Sequence, residues 1–354
     1  MEQANVTRYF LGANSKAGFY SLYDDLTDPA GGDFLFVIKG VPGCGKSSFM
    51  KRIGAAAENA GYAVEYIHCS GDPDSLDAVV IPAKHLAWVD GTAPHVLEPP
   101  WAGAAGRYLD FSGFLDVSAL KERLPQIVDI TLRYKSLYSA AYAQLAAAAA
   151  LLPKNHFVLR DASALEKRLS GIAARELKPL KKPPTVTHRF ISAYTCQGRI
   201  CFTEPFQALC DRLYELDNTL GLGHAALELL ADYAAARGYD AVVCHDPLEP
   251  EKCEALLLPE ARLGFLAAEP GAQLPPLPCR RLRLDAPVIR ALTPEEKAVL
   301  RQRKRESRVL LAAAADTLAR AKALHDELEA VYHPHVDFAA VDALAEAHVR
   351  LALM

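Results

Sequence analysis

Blocks of apolar and polar positions along this chain predict strands followed by helices. Phe34-Leu35-Phe36-Val37-Ile38 is a short continuous apolar run after Gly31-Gly32-Asp33, the pattern of a strand buried on both faces of a parallel sheet. From Ser48 to Ala60 the apolar residues Phe49, Met50, Ile53 and Ala57 recur among Lys51, Arg52 and Glu58 with a helical period. Gly61 stops that helix, and the β-prone run through His68 predicts a second strand. Leu86-Ala87-Trp88-Val89-Asp90 is a further apolar run, closing in a carboxylate. From Ser118, a candidate cap, the positions Leu120, Leu124, Ile127, Ile130, Leu132 and Leu137 predict a long helix that Pro125 kinks or restarts. Thr293-Pro294-Glu295-Glu296 opens another helix, running to about Tyr332.

The break between the first strand and its helix carries the chemistry. Gly40-Val41-Pro42-Gly43-Cys44-Gly45-Lys46-Ser47 fits the phosphate-loop pattern G-x-x-x-x-G-K-[ST] at every fixed position. By chance the bare pattern arises in about one percent of chains this long. A triphosphate demands desolvated, neutralised oxygens with no bulky side chain in the way. Gly43 and Gly45 allow main-chain N–H groups to form an anion nest at the helix N-terminus. Lys46 adds a full charge for the β- and γ-phosphates, and the Ser47 hydroxyl offers a hard oxygen to Mg²⁺. The expected nucleotide-binding residues are Gly40, Pro42, Gly43, Cys44, Gly45, Lys46, Ser47 and Ser48. Asp90, at a strand end in the manner of a Walker B carboxylate, is the expected second magnesium residue beside Ser47 and the catalytic partner of Lys46. Cys44 reads as filler in a variable position. Thr92 and His95 stand on the loop after Asp90, either near the γ-phosphate or capping the next element. The acidic stretch Asp72 to Asp77 reads first as an Asp-Pro turn before a helix cap, and second as a holder of hydrated metal or nucleoside.

The chain repeats itself. Gly61, Tyr62, His68, Pro73, Ala78, Pro82 and Leu86 recur without gaps as Gly238, Tyr239, His245, Pro250, Ala255, Pro259 and Leu263. Chance would supply about two identities over such a window. A tandem duplication is therefore expected. One residue beyond this register the second loop falls at Asn218 to Ala225, with His224 in the lysine position and Ala225 in place of the hydroxyl; in the register itself Ala267 stands opposite Asp90. Lacking those groups to neutralise a triphosphate, the second copy is expected not to be an NTPase, which leaves one nucleotide site. His68 and His245 mark equivalent strand ends. Prolines in Leu177 to Pro184 forbid helix and join the copies. The expected domains are 1–177, a Pro/Lys linker at 178–185, and 186–354. Arg301, Arg303, Lys304, Arg305 and Arg308 form a basic run, either a solvated helix face or a source of an arginine for the first copy's γ-phosphate. His333, His335 and Asp337 read as a helix end rather than a metal cluster.

Composition narrows the function classes. The 354 residues are 51% apolar and 23% charged, as in ordinary globular proteins. A formal charge of −4 provides no global positive field, so nucleic acid is not favoured as a partner. The first twenty residues hold no apolar block suited to secretion, and the alanine-rich stretch 140–152 is too short to span a bilayer. Eight cysteines without a Cys-x-x-Cys pair suit reduced thiols, and a cytoplasmic location with no membrane is expected.

Several stretches together resemble an uncharacterised bacterial family, mostly from Gram-positive anaerobes and spore formers, of tandem P-loop ATPase or nucleotide-kinase-like ATP-binding proteins. They are Ala17 to Leu22, Gly40 to Ser48, Tyr66 to Ser70, Asp74 to Asp77 and Val89 to His95. The resemblance spans nearly the whole chain. It implies an α/β fold of two tandem P-loop NTPase-like domains with mainly parallel sheets, each followed by a long helical segment. Many relatives keep an intact loop in the second copy, from which this sequence departs. The expected function is Mg²⁺-dependent binding and hydrolysis of ATP, or GTP, at one site in the N-terminal half. The alternatives are a phosphotransferase acting on a small-molecule acceptor, and a nucleotide-gated module with negligible turnover that docks a macromolecular partner.

Overall fold

A computed structural model of the chain describes residues 5–153, 162–269 and 274–354. The first half contains β1 (Val6–Tyr9), β2 (Gly12–Ser15), β3 (Gly18–Ser21), β4 (Phe34–Lys39), α1 (Lys46–Asn59), β5 (Val64–His68), β6 (Leu76–Ile81), β7 (Leu86–Asp90), β8 (Gly106–Asp110) and α2 (Val117–Ala150). The second contains α3 (Ala162–Glu176), β9 (Val186–Arg189), β10 (Ser192–Thr195), β11 (Gly198–Cys201), α4 (Glu204–Leu209), β12 (Arg212–Asp217), α5 (Leu222–Ala235), β13 (Ala241–His245), β14 (Cys253–Leu258), β15 (Leu263–Ala268) and β16 (Cys279–Leu282). It continues with α6 (Ala286–Ala291), α7 (Pro294–Tyr332) and α8 (Phe338–Leu353).

The fold is mixed α/β, with two six-stranded sheets of the same strand order. One runs β1-β5-β6-β7-β4-β8 and the other β9-β13-β14-β15-β12-β16. In each, one strand, β6 or β14, runs against its neighbours, and the remaining strands pair in parallel. Shared order and direction are what a duplicated sequence requires. The hairpins β2–β3 and β10–β11 repeat in the same way.

The compact units are not the consecutive domains expected at 1–177 and 186–354. One unit comprises residues 1–143, 193–200 and 313–354, and the other comprises 144–192 and 201–312. The C-terminal residues of α7 and all of α8 thus belong with the first copy, while α3 belongs with the second. Burial explains the exchange. In the first unit, Val341, Ala345 and Ala352 of α8 share a core with Phe49, Met50 and Ile53 of α1 and with Phe36, Ile38 and Trp88 of the sheet. In the second, Leu169, Ile172 and Ala173 of α3 share a core with Ala226, Leu227 and Leu230 of α5. An amphipathic helix buries its apolar stripe wherever a complementary one exists, and sequence adjacency does not decide that partner.

Trp88 fastens α8 to the first sheet. It is fully buried and stacks on Phe36 with ring centroids 5.2 Å apart. Its indole N–H donates to His348 Nδ1 at 3.0 Å. Burial, assisted by the Arg107 charge, pulls the His348 pKa down to about 4, so the ring is neutral and its Nδ1 can accept.

Local signals survive in part. Thr293 and Glu296 cap α7 reciprocally, each side chain accepting the other's backbone N–H. Asp116, rather than Ser118, caps α2, taking the N–H groups of Ser118 and Ala119. The helix then runs as one element through Pro125. Asp337 caps α8 through Ala340 N–H, the helix end expected there. The stretch after Asp74 becomes strand β6 instead of a capped helix, because Leu76 to Ile81 find ladder partners on both sides. Among the described residues, no helix is long and apolar enough to cross a membrane.

Candidate functional site

The glycine loop leaves the carboxyl end of β4, between β7 and β8, where ligands collect in open α/β sheets. Gly43 and Gly45 have φ of +72° and +92°, in the left-handed region that favours glycine. Gly45 is the N-cap of α1, and Lys46, Ser47 and Ser48 form its first turn. Backbone N–H groups there have no intrahelical acceptor and project from the positive end of the helix. Gly40 is required for another reason. A Cβ there would lie 2.8 Å from Cys44 Sγ and 3.0 Å from Phe111 Cβ. Cys44 is buried in the core, which pushes its thiol pKa up. It is an inert filler, with Pro42 preceding it in the turn.

Lys46 Nζ donates to the Val41 carbonyl at 2.8 Å and stands 3.5 Å from Asp90 Oδ2. Asp90 ends β7, the strand beside β4, and its Oδ1 accepts from Thr92 N–H at 2.9 Å and Thr92 hydroxyl at 2.6 Å. Thr92 therefore orients Asp90. Ser47 Oγ accepts from Leu76 N–H at 2.9 Å, which holds the hydroxyl at the same sheet edge. Together Ser47 and Asp90 offer a hydroxyl and a carboxylate, the hard oxygen donors that magnesium prefers. The expected residues 40–48 and Asp90 are thus brought together.

Other contributors carry no local sequence signal. A Cβ on Gly43 would lie 3.0–3.1 Å from Cβ, Cα and the carbonyl oxygen of Glu329, on α7. One on Gly45 would lie 3.4 Å from Val341 and 3.6 Å from Phe338, on α8. The C-terminal helices thus form a wall of the loop, and Arg52 pairs with Asp342 beside it. His325, Asp326 and Glu329 bring their ligand atoms together on α7, but Asp326 is already paired with Lys322. Lys39 is a further member that the motif does not include. Its Nζ donates to the carbonyls of Gly91 and Leu97, both at 2.8 Å, clamping the loop after Asp90.

The second copy has lost more than its lysine. Phe34 pairs with Leu86 and Arg212 with Leu263, which makes Lys39 and Asp217 equivalent strand ends. Gly45 and Gly221 are equivalent left-handed N-caps. Between strand and helix stand residues 40–45 in one copy and only 218–221 in the other. Leu222, not His224, therefore occupies the Lys46 position, and Gly223, not Ala225, that of Ser47. A deletion of two residues is invisible to an ungapped comparison. The short loop is filled from within. Asn218 Nδ2 donates to His224 Nε2 at 2.7 Å, and His224 Nδ1 donates to the Cys253 carbonyl at 2.8 Å. Asp285 accepts from Leu220 N–H at 3.0 Å, and burial pushes its pKa up to about 6. The basic run lies on α7 in this unit, where Lys304 and Arg308 pair with Glu269.

Comparison with known proteins attaches no family to this geometry: no family model, curated protein or solved structure matches the chain.

Proposed function

We propose that the chain is a Mg²⁺-dependent P-loop ATPase, with one nucleotide site built on residues 40–48 of the first copy. A single observation carries the reading. The two glycines with positive φ lead directly into a helix whose first residue, Lys46, stands 3.5 Å from a carboxylate ending the adjacent strand. The resemblance of residues 40–48 and 89–95 to tandem ATP-binding proteins points the same way.

In this mechanism the first-turn N–H groups of α1 receive phosphate oxygens. Lys46 exchanges its bond to the Val41 carbonyl for the phosphates, a neutral acceptor for a charged one, which strengthens the contact. Ser47 and Asp90 would hold magnesium, which supplies charge neutralisation at the phosphates. Leu76 N–H and Thr92 keep those two side chains aimed before ligand arrives, so less ordering is needed on binding. The purified chain should release phosphate steadily from ATP and magnesium alone, and chelation should stop it. Consumption of ATP only after an alcohol is added would instead make the protein a phosphotransferase.

A further inference from the structure

A buried imidazole stands beside the proposed nucleotide site. His95 is only 7% exposed, yet neither ring nitrogen has a hydrogen-bond partner among the described residues. Its ring stacks on Tyr23 with centroids 4.7 Å apart and tilts against Phe19 at 6.0 Å. His95 Nε2 lies 3.8 Å from Asp77 Oδ1, beyond hydrogen-bond range. The other oxygen, Asp77 Oδ2, accepts from the Tyr23 hydroxyl at 2.6 Å. An imidazole kept from water without a partner is destabilising, a cost that a bound ligand or its water would remove.

Three connections tie this group to the site. The β5–β6 register slips between Ile67 and His68, leaving Asp77 as the extra residue of a bulge, a device that re-aims side chains beside active sites. Leu76, immediately before it, donates to Ser47 Oγ. His95 itself rides on the loop that begins at Asp90 and is clamped by Lys39, the residue before Gly40.

We propose that His95 is the general base of this site, accepting the proton of the oxygen nucleophile that attacks the terminal phosphoryl group. Asp77 acts as the positioning residue for the ring, and Tyr23 fixes Asp77. The proposal rests on residues 40–48 binding a triphosphate. In the step, the nucleophile's oxygen bonds to phosphorus while its O–H bond breaks and the proton passes to His95. The electron pair of the cleaved P–O bond leaves on the diphosphate. In ATP hydrolysis the nucleophile is water, and an alcohol would be deprotonated by the same group. The titratable groups around the ring are Tyr23 and Asp77, with Cys69 and Asp90 close enough to influence both of them.

The test uses the full chain carrying His95→Gln, which keeps a polar side chain but cannot take the proton. Affinity for the magnesium complex of a non-hydrolysable ATP analogue should stay within about threefold. Phosphate release should fall by about 100-fold or more, the usual range for a lost general base. Asp77→Asn keeps the bond to Tyr23 and should lower kcat by about tenfold or more with KM unchanged, since the carboxylate beside the ring is gone. Release within threefold of wild type in His95→Gln overturns the proposal. Should that variant fail to fold, an unchanged kcat in Asp77→Asn overturns it instead. A wild-type chain that binds nucleotide without turnover overturns the base and leaves the binding reading intact. A wild-type chain that binds no nucleotide removes both.

Discussion

Lys46→Ala is expected to abolish stabilisation of the chain by nucleotide while leaving the free protein close to its original stability. In the free chain the ammonium bonds neutral carbonyls and lies at 3.5 Å from Asp90, which keeps both bonds from Thr92 when the lysine is removed. Its contribution to the bound state is different in kind, because no other side chain of the glycine loop carries positive charge. A ligand at 100 times its Kd stabilises the native state by about 2.7 kcal/mol. For a domain of this size that is a rise in Tm of about 5–10 °C. The wild-type chain should show that rise with ATP and magnesium, and Lys46→Ala should show none. An equal rise in both would remove the lysine from the site.

Trp88→Ala should produce the largest loss of stability, about 3–5 kcal/mol by denaturant unfolding. The indole fills the space between Phe36 and α8, and its N–H satisfies a buried imidazole that is held neutral. Alanine leaves a cavity and an unpaired His348 acceptor. The loss also bears on function, since α8 and the adjoining end of α7 form the wall beside Gly43 and Gly45. Nucleotide affinity should fall with stability. A cost below about 1 kcal/mol would mean that α8 is not anchored through this contact.

Much of the first unit is legible in the sequence because its signals are local. The apolar run at 34–38, the glycine spacing and the helical period after Ser48 each lie within a few residues, and β4, the loop and α1 form where they predict. Asp90 is legible for the same reason, as the carboxylate that closes an apolar strand. The duplication is legible from recurring residues, and the two sheets repeat one strand order. The features that escape depend on distant or subtractive information. The deletion in the second loop shifts Leu222 into the lysine position, although the expected loss of charge is unaffected. The exchange of α3 and α8 between units depends on which apolar stripes meet, and Glu329, Phe338 and Val341 reach the glycine loop only through that packing. Asp77 reads as part of an acidic turn because the bulge that aims it is a property of strand pairing, set by both β5 and β6. Lys39 leaves only a faint trace, a cation directly before Gly40, since its two carbonyl partners are 52 and 58 residues away.

On the proposed reading, one loop of this duplicated chain holds a triphosphate and the other does not. Calorimetric titration of the full chain with the magnesium complex of a non-hydrolysable ATP analogue measures this directly. One nucleotide bound per chain is expected. Two per chain would mean that the shortened loop around Gly221 also binds, and none would mean that the loop from Gly40 to Ser47 is not a nucleotide site.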